Sequence, residues 1–332
     1  MTPDVRSCQL GELSIAYTSH GDGVRGCLVL VHGLGQQLTA WPPSLVRALV
    51  QAGMRVVCID NRDVGQSSRL TGRPPMAWIY LRHRLGLTSR APYLLDDMAD
   101  DLGGLIEHLG AGPVHLVGLS MGGMLCQIVA ARQPARVASL TSIMSSSGDH
   151  RLPRARPEVM RHILTPPRRP TFEQALAHGV RTWELIGSPR YPTPRAVLVD
   201  RVRQDLERGA PDAGGTERQF AAVLASGSRV PLLRLITAPT LVIHGDADPL
   251  VPLAAGRDVH AHTPGARLEV IAGMGHDLPE PLVPRIAALI VEHVEHVEHV
   301  EHARAVARPV PSPHASDLPV TTPPTAVTGE PA

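Results

Sequence analysis

Residues 114–132 run from an apolar, valine-rich stretch (Val114-His-Leu-Val) through Gly118-Leu119-Ser120-Met121-Gly122 into a helical pattern from Met124 to Arg132. A strand can turn that abruptly into a helix only if both elements pass each other closely, and glycine-sized residues at 118 and 122 permit this. The serine at the apex then presents its hydroxyl clear of the backbone. The Met121 N–H, at the positive end of the helix, points into the same space. Strand and helix patterns alternate on either side. A strand is expected over 56–60, and another over 137–144. A helix is expected over 93–109, where Leu95, Met98, Leu102, Leu105, Ile106 and Leu109 recur on one face. Alternation of this kind predicts an α/β chain with parallel strands and helices on both sides of the sheet.

Three further apolar runs end in polar turns. Cys27–Val31 leads into His32-Gly33-Leu34-Gly35, a glycine turn suited to aim the Leu34 N–H at the space above Ser120. Two N–H donors, from Leu34 and Met121, would make an oxyanion hole, each donor lowering a barrier by about 3 to 4 kcal/mol. Thr240–His244 ends in Gly245-Asp246-Ala247-Asp248-Pro249-Leu250-Val251-Pro252, and Leu268–Ala272 ends in Gly273-Met274-Gly275-His276. Ser120, Asp248 and His276 thus each follow a predicted strand, which would bring them to one sheet edge. Such a set has a defined chemistry: the histidine takes the serine proton, and the acid holds the imidazole tautomer and stabilises the imidazolium. Asp246 competes for the acid's role, but the Asp-Pro-Leu-Val-Pro turn favours Asp248. Of the nearby polar residues, His32 is expected to brace the glycine turn and His244 to end a core strand. Asp277 is expected to face solvent or close a local turn.

With these motifs, and with Asp60-Asn61-Arg62-Asp63-Val64-Gly65-Gln66-Ser67-Ser68 and Ala91-Pro92-Tyr93, the chain resembles α/β-hydrolases of the serine esterase type. Within them it is similar to the aclacinomycin methylesterase-like and lipase/esterase group, over roughly residues 11–293. The serine, acid and histidine follow each other in that family's order. The resemblance implies an α/β-hydrolase fold, a mostly parallel central sheet flanked by helices, with a helical cap inserted after the sixth strand. It implies that Arg62 ties loops beneath the site. It also implies hydrolysis of a small-molecule carboxylic ester through an acyl-enzyme, with no cofactor and no metal. A carbon–carbon bond hydrolase or a cofactor-free perhydrolase would use the same three residues. A haloalkane dehalogenase or epoxide hydrolase would need an aspartate where Ser120 stands. A non-catalytic ligand-binding protein, or one acting through its tail, is the alternative outside enzymes.

The formal net charge is +1, and all 32 Lys and Arg residues are arginine. A Schiff-base lysine and a phosphate-binding Gly-Lys-Ser loop are therefore excluded, and nothing calls for nucleic acid as a partner. Cys8, Cys27, Cys58 and Cys126 show no Cys-x-x-Cys spacing and read as small buried hydrophobes. The first residues lack a signal-peptide apolar region and no apolar run reaches the length of a membrane span, so a cytoplasmic protein without stable membrane insertion is expected.

The hydrolase core is assigned to 1–144 and 232–293, and the cap to 145–231, which is rich in Arg and Pro with helical stretches over 171–186 and 195–206. Gly33, Trp183 and Trp78 are the expected substrate-lining residues. Met160, Ile163, Leu185 and Phe220 are further apolar candidates, and 74–87 is a candidate flap. Arg151, Arg154, Arg156, Arg161, Arg168 and Arg169 read as a solvated basic face. The Val-Glu-His repeat over 294–302 is expected to be an exposed helical extension, because a three-residue period drifts around a helix of 3.6 residues per turn. The Pro-rich 303–332 is expected to be disordered.

Overall fold

A computed structural model of the chain describes residues 4–87, 89–167, 170–209 and 213–306. Its eight strands are β1 (Arg6–Leu10), β2 (Leu13–His20), β3 (Cys27–Val31), β4 (Arg55–Ile59), β5 (Val114–Leu119), β6 (Val137–Ile143), β7 (Thr240–Gly245) and β8 (Arg267–Ile271). They form one sheet in the order β1-β2-β4-β3-β5-β6-β7-β8. From β4 to β8 every pairing is parallel, while β1 and β2 are antiparallel additions at one edge. The helices are α1 (Pro43–Gln51), α2 (Met76–Arg84), α3 (Leu95–Leu109), α4 (Met121–Arg132), α5 (Pro157–Leu164), α6 (Phe172–Ile186), α7 (Arg195–Arg208), α8 (Ala213–Ala225), α9 (Val230–Leu233), α10 (Leu253–His262) and α11 (Val283–Val306).

The central strands are apolar on both sides because both faces of the sheet are covered. Successive residues of a strand point to opposite faces, so β3 feeds two cores. Cys27, Val29 and Val31 pack with Leu95, Met98, Leu102 and Leu105 of α3 and with Leu125 and Ile128 of α4. Leu28 and Leu30 pack on the other side, with Leu45 and Leu49 of α1 and with Ile286 and Ile290 of α11. All four cysteines are buried and unpaired, as expected. No helix among the described residues is long and apolar enough to cross a membrane.

The insertion expected after the sixth strand lies between β6 and β7 and comprises α5 to α9. Buried ion pairs fasten it to the Asp60–Ser68 loop that follows β4. Arg208 donates to Asp60 Oδ2 at 2.7 Å, and Arg218 to both oxygens of Asp63 at 2.9 and 2.7 Å. Removing one partner of such a pair would leave a buried charge uncompensated, so these contacts fix where the insertion sits.

The expectation for the Val-Glu-His repeat needs correction at its start. Val294 and Val297 are buried, and they continue the α11 stripe set by Ile286 and Ile290. Each three-residue step turns the stripe by only about 60° relative to a full turn, so the first two valines still face the core. The compact unit ends at Val297; residues 307–332, most of the expected disordered tail, lie outside the described residues.

His293 is buried on α11, where Nε2–H donates to the Pro239 carbonyl at 3.2 Å and Nδ1 has no partner among the described residues. Burial pushes its pKa down to about 4. Its folded value lies below that of the unfolded chain, so the stability it carries is complete above pH 6.5 and is lost as pH falls toward 4. The expected loss between pH 7 and pH 4.5 is about 2 to 3 kcal/mol. Urea unfolding of wild type and His293→Gln at both pH values should show that this pH-dependent difference shrinks in the variant.

Candidate active site

Ser120 sits between β5 and α4 with φ 53° and ψ −117°, a left-handed backbone that a non-glycine residue adopts only when its surroundings enforce it. Its N–H donates to the Ile143 carbonyl at 2.9 Å, and its carbonyl accepts from Ser145 Oγ at 2.7 Å. The crossing of strand and helix is as tight as the glycines imply. A Cβ on Gly122 would lie 2.0 Å from the Val31 carbonyl oxygen, and one on Gly118 would lie 2.5 Å from backbone atoms of Gly122 and Gly123.

His276 and Asp248 complete a hydrogen-bonded chain to this serine. Ser120 Oγ lies 3.0 Å from His276 Nε2, and His276 Nδ1 lies 2.6 Å from Asp248 Oδ2. The other Asp248 oxygen accepts the Leu250 and Val251 N–H groups at 2.9 and 2.8 Å, which fixes the carboxylate's orientation. With an acceptor on Nδ1, that nitrogen carries the proton and Nε2 is left to accept from the serine hydroxyl. All three side chains belong to buried residues.

The competing residues take other positions. Asp246 accepts the Gly273 N–H at 2.6 Å and stays exposed. His244 ends β7, buried, donating from Nε2 to the Val251 carbonyl at 2.8 Å; burial lowers its pKa. His32 braces the glycine turn as expected, with Nδ1–H donating to the Gly33 carbonyl at 2.8 Å and Nε2 accepting the Asn61 N–H at 3.2 Å.

A Cβ on Gly33 would lie 3.3 Å from Ser120 Cβ, so the 32–35 turn abuts the serine. Within this turn the Gly33 N–H donates to Gln36 Oε1 at 3.2 Å and the Gly35 N–H to Gln219 Oε1 at 2.8 Å. The Leu34 N–H between them has no acceptor among the described residues. The Met121 N–H is the first of α4, where no preceding turn supplies an acceptor. Gln219 comes from α8 and also donates to the Arg62 carbonyl at 2.7 Å, tying turn and loop together. Arg62 itself is structural: it grips both oxygens of Asp101 at 2.6 and 2.8 Å and lies over the Tyr93 ring.

Several side chains were not legible in advance. Asp277 is not solvent-facing but buried, accepting from Ser188 Oγ at 2.5 Å, and burial holds its carboxyl above the usual range. The same Ser188 oxygen accepts the Gly275 N–H at 2.8 Å, and the His276 N–H donates to the Ile186 carbonyl at 2.7 Å. The end of α6 is thus stitched directly to the histidine's loop. Trp183 is half-buried under the Arg201 guanidinium and borders a groove of about 530 Å³. That groove runs behind the histidine's loop, past Ser188, Asp277 and Pro249, and neither Ser120 nor Met121 lines it.

Trp78 does not border this groove. On α2 it is Ile79 that packs against Ala221 and Leu224 of α8, and Trp78, one helical step of about 100° away, is 56% exposed. Phe220 packs in this same α2–α8 cluster. Arg151, Arg154, Arg156 and Arg161 are exposed, while Arg168 and Arg169 lie outside the described residues. Among the described residues, no group of three or more His, Cys, Asp or Glu side chains is placed to hold a metal ion.

The profile of the family described as alpha/beta hydrolase fold matches residues 26–280. The chain belongs to the α/β-hydrolase fold family. Within the family, it is 28% identical over 295 residues to the rhodomycin D methylesterase of Streptomyces peucetius, covering 82% of this chain and 92% of that relative. It is 25% identical to 3-oxoadipate enol-lactonase 2 of Acinetobacter baylyi, covering 78% and 85%. The crystal structure of the enol-lactonase from Burkholderia xenovorans superimposes with a TM-score of 0.67, covering 87% of this chain and all of that one at 20% identity, which speaks to the fold alone.

Proposed function

We propose that the chain is a serine carboxylesterase that acts on a small-molecule ester, a methyl ester in particular, through an acyl-enzyme. The observation that carries this reading is the Ser120–His276–Asp248 chain, with links of 3.0 and 2.6 Å, beside the Gly33–Leu34 turn. Ser120 Oγ attacks the ester carbonyl while His276 Nε2 takes its proton, and the resulting oxyanion is held by the Leu34 and Met121 N–H groups. His276 then gives the proton to the departing alkoxide, and water repeats the sequence to release the acid. Asp248 keeps the imidazole oriented and stabilises its charged form. The helices α5 to α9 act as the cap. The methylesterase and enol-lactonase relatives support acyl transfer to water as the shared reaction type.

A fluorophosphonate probe tests the reading directly. The expected result is a single adduct mapped to Ser120, absent in Ser120→Ala and formed much more slowly in His276→Ala. An adduct on another residue, or none from an enzyme that hydrolyses p-nitrophenyl butyrate, would overturn it.

Ser188 enters this mechanism as a positioning residue. Its hydroxyl is used twice, toward Asp277 and Gly275, so Ser188→Ala would loosen the loop that carries His276 and deprive a buried carboxyl of its hydroxyl donor. The expected loss is about tenfold in kcat with KM little changed, because the imidazole and not the binding surface moves. Ser188→Thr, which keeps the hydroxyl, should recover most of it in steady-state assays.

A further inference from the structure

The described surface exposes few large apolar side chains, and four of the most exposed lie within ten residues: Trp78 at 56%, Leu81 at 49%, Leu85 at 64% and Leu87 at 48%. Trp78, Leu81 and Leu85 are spaced three and four apart, so they form one stripe along α2 and the residue that follows it. The opposite side of α2 is already satisfied by Ile79 packing on α8. The stripe is therefore not a core face left half-covered; it is a second apolar face turned outward.

Its electrostatic setting is one-sided. From Val64 to Leu95 the chain holds Arg69, Arg73, Arg82, Arg84 and Arg90 and not one Asp or Glu. Arg82 lies over the Trp78 ring, with its guanidinium carbon 5.7 Å from the ring centroid, while Arg84 and Arg90 are exposed and have no ion pair among the described residues. Arg154 is near enough to His83 to act on it electrostatically, so the neighbouring insertion extends the positive rim. The acids nearby are engaged: Asp149 with Arg151, and Glu217 with Arg73.

We propose that the outer face of α2 is a docking surface for an anionic lipid bilayer, which the protein adsorbs to and does not span. A tryptophan and leucines on a convex helix, ringed by arginines, match the boundary between headgroups and acyl chains, where the indole and aliphatic groups sink and the guanidinium groups meet phosphate. A second copy of the chain is a poor occupant. A twofold contact through this face would bring the same arginines against each other with no acid between them.

The test is co-sedimentation of the full chain with vesicles of phosphatidylcholine alone and of phosphatidylcholine with phosphatidylglycerol. Binding should be at least about tenfold stronger to the anionic vesicles and should weaken with added salt. Arg84→Glu should weaken it by about fivefold or more, and Leu85→Ser should weaken it on vesicles of either composition. Trp78 emission should shift to shorter wavelength on adding anionic vesicles, and the shift should be missing in Trp78→Phe. Hydrolysis of a soluble ester by these variants should stay at the wild-type rate, which shows that they are folded and separates this result from the fate of the esterase reading. Equal binding to both vesicle types, binding untouched by the variants, or a concentration-dependent dimer that the same variants dissolve would each overturn the proposal.

Discussion

Ser120→Ala is expected to lower ester hydrolysis by about 10⁴-fold or more while leaving the fold intact. The substitution removes one oxygen from a residue whose backbone is held by other groups, namely the Ile143 carbonyl and the Ser145 hydroxyl. Alanine meets the same φ of 53° that serine does, so the elbow keeps its shape and circular dichroism should not change. What disappears is the atom 3.0 Å from His276 Nε2. His276→Ala should cost a similar factor, and the double variant should cost little more than either alone, because residues acting as a unit do not add. Asp248→Asn should also lose about 10⁴-fold, through the wrong tautomer. Asp246→Asn should stay within about twofold of wild type, since that carboxylate only accepts the Gly273 N–H. The measurement is kcat/KM for p-nitrophenyl acetate and butyrate. Retained turnover in Ser120→Ala would remove the elbow from the chemistry.

The parts of the site that sequence reasoning reached share a property: each is a local pattern of strand, glycine turn and one reactive residue. Ser120, Asp248 and His276 each close an apolar run, and a parallel sheet brings the ends of such runs to one edge. The parts it missed depend on contacts between distant segments. Ser188 and Asp277 are 89 residues apart, Gly35 and Gln219 are 184 apart, and Asp60 and Arg208 are 148 apart. A single serine, glutamine or arginine on a helix carries no local mark that separates a buried partner from a solvated one. Asp277 looks like a surface turn residue until α6 is laid against it. Trp78 shows the converse: an apolar segment between two motifs reads as a wall, and only the phase of α2 shows that this side chain is 56% exposed while Ile79 is covered. The N-terminal hairpin of β1 and β2 was also unread, since short stretches such as Arg-Ser-Cys-Gln-Leu alternate too weakly to stand out.

Gly122→Ala is expected to destabilise the protein by about 3 kcal/mol or more and to abolish activity together with it. The backbone of Gly122 is ordinary, so the cost is one of space alone. A methyl group there would lie 2.0 Å from the Val31 oxygen and 2.6 Å from the His32 oxygen, both backbone atoms at the end of β3. Neither can swing aside as a flexible side chain would. Relief requires α4 to lift away from β3, and that movement separates Met121 and Ser120 from the Gly33–Leu34 turn that borders the same strand end. Gly110→Ala is the matched control. Gly110 has φ +56° but open space around its Cβ position, so it should cost only about 1 kcal/mol of backbone strain. Thermal melts should place Gly122→Ala at least about 6 °C below wild type and Gly110→Ala within about 4 °C of it. If the two variants melted together, the close passage of strand and helix at the elbow would not be what demands glycine at 122.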